Sequence, residues 1–363
     1  MIFDLFLKVF LIGCTVFFIP GQEFYGPQEV FFQYGAMALL AISYATKRER
    51  EVTNKFLGMF FLYALANTIL FHFNPVSRIK VLNLFLGMFL IKETSERMTL
   101  NFEMVGNLLA LFCALNVAWI GLQLNQIDPI FSSMNPQNMP QVDTVGFMGL
   151  KANLGCLAAL AFPFIFEASP LASIICLPLL WFGQSSTAVL AFMISFLFLM
   201  WFKNRKLFWI LAGICLAGGI YYIFCKDLPT GEFPKRIKVW MAGISYLAGT
   251  KPWFGHGLGA WAVTGFTTLQ QNGEPQQWVW AHNEFIQLAF EIGVVGMVCL
   301  YAYFKDLFKV INLKYGNHRL AISILIPLVI ISFFHFPAHL GRFAGLVCFM
   351  IAAVEALISE DKV

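Results

Sequence analysis

Apolar runs long enough to cross a bilayer follow one another along almost the whole chain, separated by short polar breaks. A bilayer core about 30 Å thick needs about 20 mostly apolar residues per helical crossing. Within it the backbone must satisfy its own hydrogen bonds, so the runs must be helices packed against one another. About twelve spans are expected, at 3–19, 29–45, 56–73, 79–91, 103–124, 149–166, 170–183, 186–202, 207–224, 282–304, 320–336 and 343–358. The fourth and seventh are short, as tilted or broken helices shielded by protein would be. The first has no basic leader and no small-residue cleavage site, and reads as a retained span. Charged residues are 12% of the 363, roughly half the share of a soluble domain, which rules out a soluble globular fold. The expected architecture is one all-α polytopic transmembrane domain, 1–363, with no internal repeat.

Basic residues orient the spans. With both termini cytoplasmic, fourteen of the 24 lysines and arginines fall on the cytoplasmic side and nine on the other, Lys8 lying within the first span. Five of the nine, Lys226, Lys235, Arg236, Lys238 and Lys251, share one loop, 225–281. Long loops cross largely regardless of charge, so the cluster does not reverse the orientation. The eight cysteines lie in or beside apolar runs without paired spacing, against a disulfide framework or a C-x-x-C metal site.

The loop carries the chemistry. Lys235, Arg236 and Lys238 precede Val239–Ala248, which reads as a short amphipathic helix at the interface. Gly255, Gly257 and Gly259 then permit an irregular backbone. Trp253, Trp261, Trp278 and Trp280 suit either a headgroup-level aromatic belt or stacking on a sugar or isoprenoid tail. The basic trio is either a solvated patch against anionic lipid or a diphosphate site. His282, where the tenth span is expected to begin, is either an interfacial residue or a base active near neutral pH. Asn283 is placed to cap the helix and orient the histidine. Glu284, Gln287 and Glu291 form one polar stripe, either paired within the bundle or lining a groove. His72 and His318 are isolated, His256 sits in the glycine turn, and His335 and His339 flank Phe336-Pro337-Ala338 in either the same cavity or a wet loop. No D-x-D pair occurs in the loops, which disfavours metal-dependent transfer from a nucleotide sugar.

His282-Asn283, nine residues, Gly293, two residues and Gly296 follow Arg236-x-x-x-Trp240, Pro252 and the glycine run. Together with Gly149–Pro163, in which Lys151 and Asn153 open the sixth span, this pattern resembles the O-antigen ligase family, relatives of the O-antigen polymerases. The motifs cover roughly 145–300. The resemblance implies a GT-C-like membrane glycosyltransferase fold in the bacterial inner membrane, with 225–281 as a periplasmic loop carrying part of the active site. It implies transfer of glycan from undecaprenyl diphosphate to an acceptor, either a lipid A core or a second lipid-linked glycan, without metal or other cofactor. Membrane lipids, and not nucleic acid, are its partners. His282 would be the catalytic histidine and Arg236 would face the diphosphate, with Lys235, Lys238 and Lys151 beside it. Asn283, Glu284, Gln287 and Glu291 would support the site or line the acceptor groove. Two departures stand out: the family's Arg-x-x-x-Leu reads Arg-x-x-x-Trp here, and its arginine near the eighth span is replaced by Gly183-Gln184-Ser185-Ser186-Thr187, leaving Lys151 as a substitute. A transporter or lipid flippase, the alternative class, would show ionisable residues at mid-bilayer in several spans and repeat symmetry. Here they gather at one face.

Overall fold

A computed structural model describes residues 6–7, 9–10, 25–45, 55–71, 75–97, 102–127, 144–148, 150–214, 232–269, 275–335 and 341–360. Most of the first expected span, the second half of the ninth, Lys226, His72 and His339 lie outside the described residues. The described helices are α1 (Tyr25–Ala45), α2 (Lys55–Phe71), α3 (Pro75–Arg97), α4 (Phe102–Leu124), α5 (Lys151–Ala168), α6 (Cys176–Gly183), α7 (Ser186–Lys203), α8 (Glu232–Thr250), α9 (Ala260–Thr264), α10 (Glu284–Lys309), α11 (Gly316–Phe334) and α12 (Gly341–Glu360). A small antiparallel ribbon, β1 (Thr267–Leu269) with β2 (Pro275–Gln277), pairs Thr268 opposite Gln276. Among the described residues, α4, α5, α7, α10 and α11 are each long and apolar enough to cross a membrane. These helices agree with the all-α membrane class read from the apolar runs, with five of the expected dozen spans meeting the length and composition of a crossing among the described residues.

The bundle is organised around α5, in which every residue from Asn153 to Phe166 is buried. A helix apolar all round can only be stable with neighbours on every side. It is enclosed by α4, α6, α7 and α11. Small residues bring these backbones close, as they do between helices in lipid. Gly106 of α4 lies directly on the Phe164 carbonyl, and a Cβ at Gly183 would stand 2.5 Å from the Gly155 nitrogen. The seventh expected span resolves into a 3₁₀ turn, Ala172–Ile175, and the eight-residue α6, too short to cross alone.

The basic trio does not precede an amphipathic helix; it lies inside one. α8 begins at Glu232 and runs to Thr250, with Ile237, Met241 and Ile244 forming an exposed apolar stripe. That stripe at helical spacing suits a helix lying in the interface plane.

The tenth span also differs from the expected simple helix. It starts at Glu284, after a left-handed His282, and it is broken at Gly293, where φ is 63° and ψ −172°. In an unbroken helix Val294 N–H would donate to the Phe290 carbonyl and Val295 N–H to that of Glu291. Instead the segment 252–257 passes through the opening. His256 and Gly257 N–H donate to the Phe290 and Glu291 carbonyls at 3.0 and 2.8 Å, while Val294 and Val295 N–H donate to Pro252 and Trp253 at 3.0 and 3.1 Å. Two lost helical bonds become four, so no main-chain group is abandoned at membrane depth. Tyr63 of α2 secures the crossing from outside: its hydroxyl donates toward the Ile292 carbonyl at 2.9 Å and the Phe254 carbonyl at 3.1 Å. Gly255, Gly257 and Gly259 all take positive φ, an irregular backbone of the kind the alternating glycines permit.

Candidate active site

Two helices deliver the principal residues. On α8, Arg236 and Lys235 are half-buried and Lys238 is exposed. The Arg236 guanidinium donates to the Phe334 carbonyl at the end of α11, at 3.2 Å. One turn further along α8, the Trp240 indole N–H donates to the Ala281 carbonyl at 2.6 Å. Ala281 is also held from the other side, its N–H donating to Gln287 Oε1 at 3.1 Å.

His282 follows immediately. Its φ of 53° is unusual for a residue with a side chain, and such backbone persists only where the surroundings impose it. Asn283 then takes the N-cap of α10, its side-chain oxygen accepting from the Ile286 N–H at 3.0 Å, as the sequence suggested. The imidazole of His282 stands edge-on to Trp278, with ring centroids 5.4 Å apart, and 6.2 Å from the ring of His335. The two histidines meet because α10 begins where α11 ends. Burial is the main cause that drives the His282 pKa down to about 3, helped by the nearby Arg236 charge and by His335. His335 is lowered to about 4, by burial first and Arg236 second. Both rings are therefore neutral at pH 7, beside a guanidinium that is always charged.

The polar stripe of α10 is wholly buried, with Glu284, Gln287 and Glu291 at 3%, 1% and 0% exposure. Burial inside the bundle is where intramembrane carboxylates belong. Gln287 is a brace between the Ala281 N–H and Glu291 Oε1, the latter at 3.3 Å. Glu284 and Glu291 line a largely apolar cavity of about 220 Å³, bounded also by Phe32, Leu288, Phe304 and Ile351. Lys80 lies at the same cavity and places its ammonium 5.0 Å over the ring of Trp280.

The tryptophans divide. Trp253 is 64% exposed and suits an interfacial belt, whereas Trp261 and Trp278 are core residues at 0% and 4%. Trp261 donates to the Trp278 carbonyl at 3.1 Å, and Trp278 donates to Thr268 Oγ1 at 2.7 Å. These two rings pin the ribbon to α9 and shape the approach to His282. His256 stacks on Phe290, centroids 4.7 Å apart, and forms part of the crossing at Gly293. Lys151 opens α5, where its carbonyl lies close under Gly183. His335 is the site residue that the sequence motif did not single out, and Trp240, seen in the sequence only as a departure from leucine, enters the site through its bond to Ala281. The only signal for His335 was its place on the outer side of a span end.

The described residues thus define a helical chain, apolar enough to cross a membrane, in which Arg236, His282 and His335 meet where α10 begins and α11 ends. Residues 171–301 match the family described as O-antigen ligase, which supports the resemblance carried by the Arg236 and His282 motifs. The match takes in Arg236, His282 and Gly293. No curated protein matches the chain.

Proposed function

We propose that this chain is a membrane glycosyltransferase that moves glycan from undecaprenyl diphosphate to an acceptor hydroxyl, with a lipid A core as acceptor. The observation that supports this reading is the meeting of Arg236 and His282 within the stretch matching the O-antigen ligase family. The donor already carries a good leaving group. What remains is a base for the attacking hydroxyl and positive charge for the departing diphosphate. His282 takes the hydroxyl proton as the acceptor oxygen bonds to the anomeric carbon. The bond from that carbon to the diphosphate oxygen breaks with its electron pair, and Arg236 receives the charge through paired N–H donors. Lys235 and Lys238 on the same helix, and Lys151 at the start of α5, extend the positive field.

An imidazole with a pKa of about 3 is neutral but a weak base. A diphosphate binding at Arg236 offsets the charge that adds to burial in depressing the imidazole, so donor binding raises its basicity. The apolar cavity beside α10, lined by Glu284 and Glu291, takes part of the isoprenoid chain. The wider architecture follows the family: twelve spans in a GT-C-like arrangement, both termini in the cytoplasm of a bacterial inner membrane, and 225–281 in the periplasm. The gathering of Lys203, Arg205, Lys305, Lys309 and Arg319 at the far ends of α7, α10 and α11 supports that orientation.

The test is transfer by the purified, reconstituted chain from undecaprenyl-diphosphate glycan to lipid A core. A ligated product, lost in His282→Ala and Arg236→Ala, is expected. Lengthened carrier-linked glycan without ligated product would make the protein a polymerase. Undiminished transfer by the His282 variant would remove the mechanism.

A further inference from the structure

The contacts at Ala281 point to a residue whose task is to hold the site in register. Trp240 and Arg236 sit four residues apart on α8, separated by about 6 Å of helix rise on one face. The same rigid turn therefore carries the cation of the site and the donor that grips the peptide next to His282. The Ala281 carbonyl is taken by the Trp240 indole N–H at 2.6 Å, and the Ala281 N–H is given to Gln287 at 3.1 Å. Beyond His282, the Asn283 carbonyl accepts from the Gln287 N–H at 3.0 Å, and its side chain caps α10. The peptide before His282 is thus gripped at both its polar atoms, and the residue after it is locked to the helix. Between them His282 keeps a left-handed backbone at φ 53°.

Of these grips, only that of Trp240 reaches from α8. Gln287 and Asn283 belong to α10, and by themselves they would fix His282 relative to α10 but not relative to Arg236. Trp240 stands where the family pattern has leucine, a side chain with no donor to offer. We propose that Trp240 is a positioning residue that sets the distance between Arg236 and His282, through its hydrogen bond to the Ala281 carbonyl. The proposal rests on the reading of Arg236 and His282 given above.

Trp240→Phe keeps an aromatic ring in the gap and deletes the N–H. The reconstituted variant is expected to lose about tenfold to a hundredfold in kcat, the order of loss that a misplacement near 1 Å produces. Its KM for the lipid-diphosphate donor should stay within about twofold, because the binding groups survive, and its thermal midpoint should fall by no more than the few degrees that one lost hydrogen bond costs. A second readout does not depend on transfer: carbethoxylation of His282 by diethyl pyrocarbonate, followed by mass spectrometry, with buried His318 as internal reference. His282 should label several-fold faster in the variant. Wild-type kcat in Trp240→Phe overturns the proposal, as does a fall in kcat with His282 labelling unchanged. Should the wild-type chain transfer nothing, the reading of function fails while the labelling alone decides the role of Trp240: faster labelling sustains it and equal labelling overturns it.

Discussion

Gly293→Ala tests whether the break in α10 is a built joint or an incidental kink. At φ 63° and ψ −172° the backbone occupies a region that is essentially reserved for glycine, and alanine there costs about 1–3 kcal/mol. Space makes matters worse. A Cβ at Gly293 would stand 2.5 Å from the Gly255 nitrogen, 2.5 Å from the Trp253 oxygen and 2.6 Å from the Phe254 carbonyl carbon. All three are main-chain atoms, so no side chain can rotate away. Relief requires residues 253–255 to retreat, which stretches the four bonds that thread the loop through the helix. Each such bond contributes about 0.5–1.5 kcal/mol net, and more where its partners are left dry. Losing only two of them together with the strain gives a destabilisation of about 4 kcal/mol, a large part of the 5–15 kcal/mol that typically separates folded from unfolded.

The assay is thermal unfolding of the detergent-purified protein followed by tryptophan fluorescence. Gly121→Ala, on α4 with nothing within 4 Å of the added carbon, is the matched control and should be neutral or slightly stabilising. Gly255→Ala should reproduce the Gly293 defect, since its Cβ would meet the Gly293 nitrogen at 2.5 Å and the Glu291 oxygen at 2.6 Å. The double variant should add little to either single one, because each already opens the same crossing. A Gly293→Ala midpoint within two degrees or so of wild type would refute the reasoning.

The pH dependence has a definite sign. With the His282 pKa near 3 and that of His335 near 4, kcat/KM should show no acid limb around pH 6.5; a limb there would refute the burial argument. Both histidines are depressed in the folded state, so below about pH 6.5 the unfolded chain binds protons that the folded chain refuses. Stability is therefore fully present above that pH and declines as pH falls towards the folded values, which a series of thermal midpoints would follow. Arg236→Gln removes a charge that lowers both rings, and the decline should start at lower amplitude and end at higher pH. Asn283→Ala deletes the cap at Ile286, for which a loss of about 1 kcal/mol in unfolding free energy is expected, with a kcat loss if the cap also steadies His282.

What could be read from the sequence was the part set by neighbours along the chain. The cap at Asn283 is a contact across three residues, and the positive φ of Gly255, Gly257 and Gly259 follows from a run in which only the backbone matters. The apolar runs foretold the helices for a similar reason, since lipid leaves few alternatives. Gly293 was visible as a motif letter, but its G-x-x-G spacing is equally that of a straight helix packed against a neighbour. The break exists only because Pro252–Gly257 supplies the acceptors and donors that a straight helix would have found in itself. The tryptophans show the same limit. Trp253 and Trp261 are eight residues apart in one loop, and a ring suited to the headgroups is equally suited to a core with a partner for its N–H. What separates them is the Trp278 carbonyl, within reach of Trp261 only after the ribbon has folded back. His335 enters by the same route: α11 ends against α8 and the start of α10, where Arg236 donates to Phe334 and two imidazoles are forced to share one desolvated, positively charged corner. Such a corner holds neutral histidines in the absence of an anion, and an anion at Arg236 would raise their basicity, as the proposed diphosphate mechanism requires.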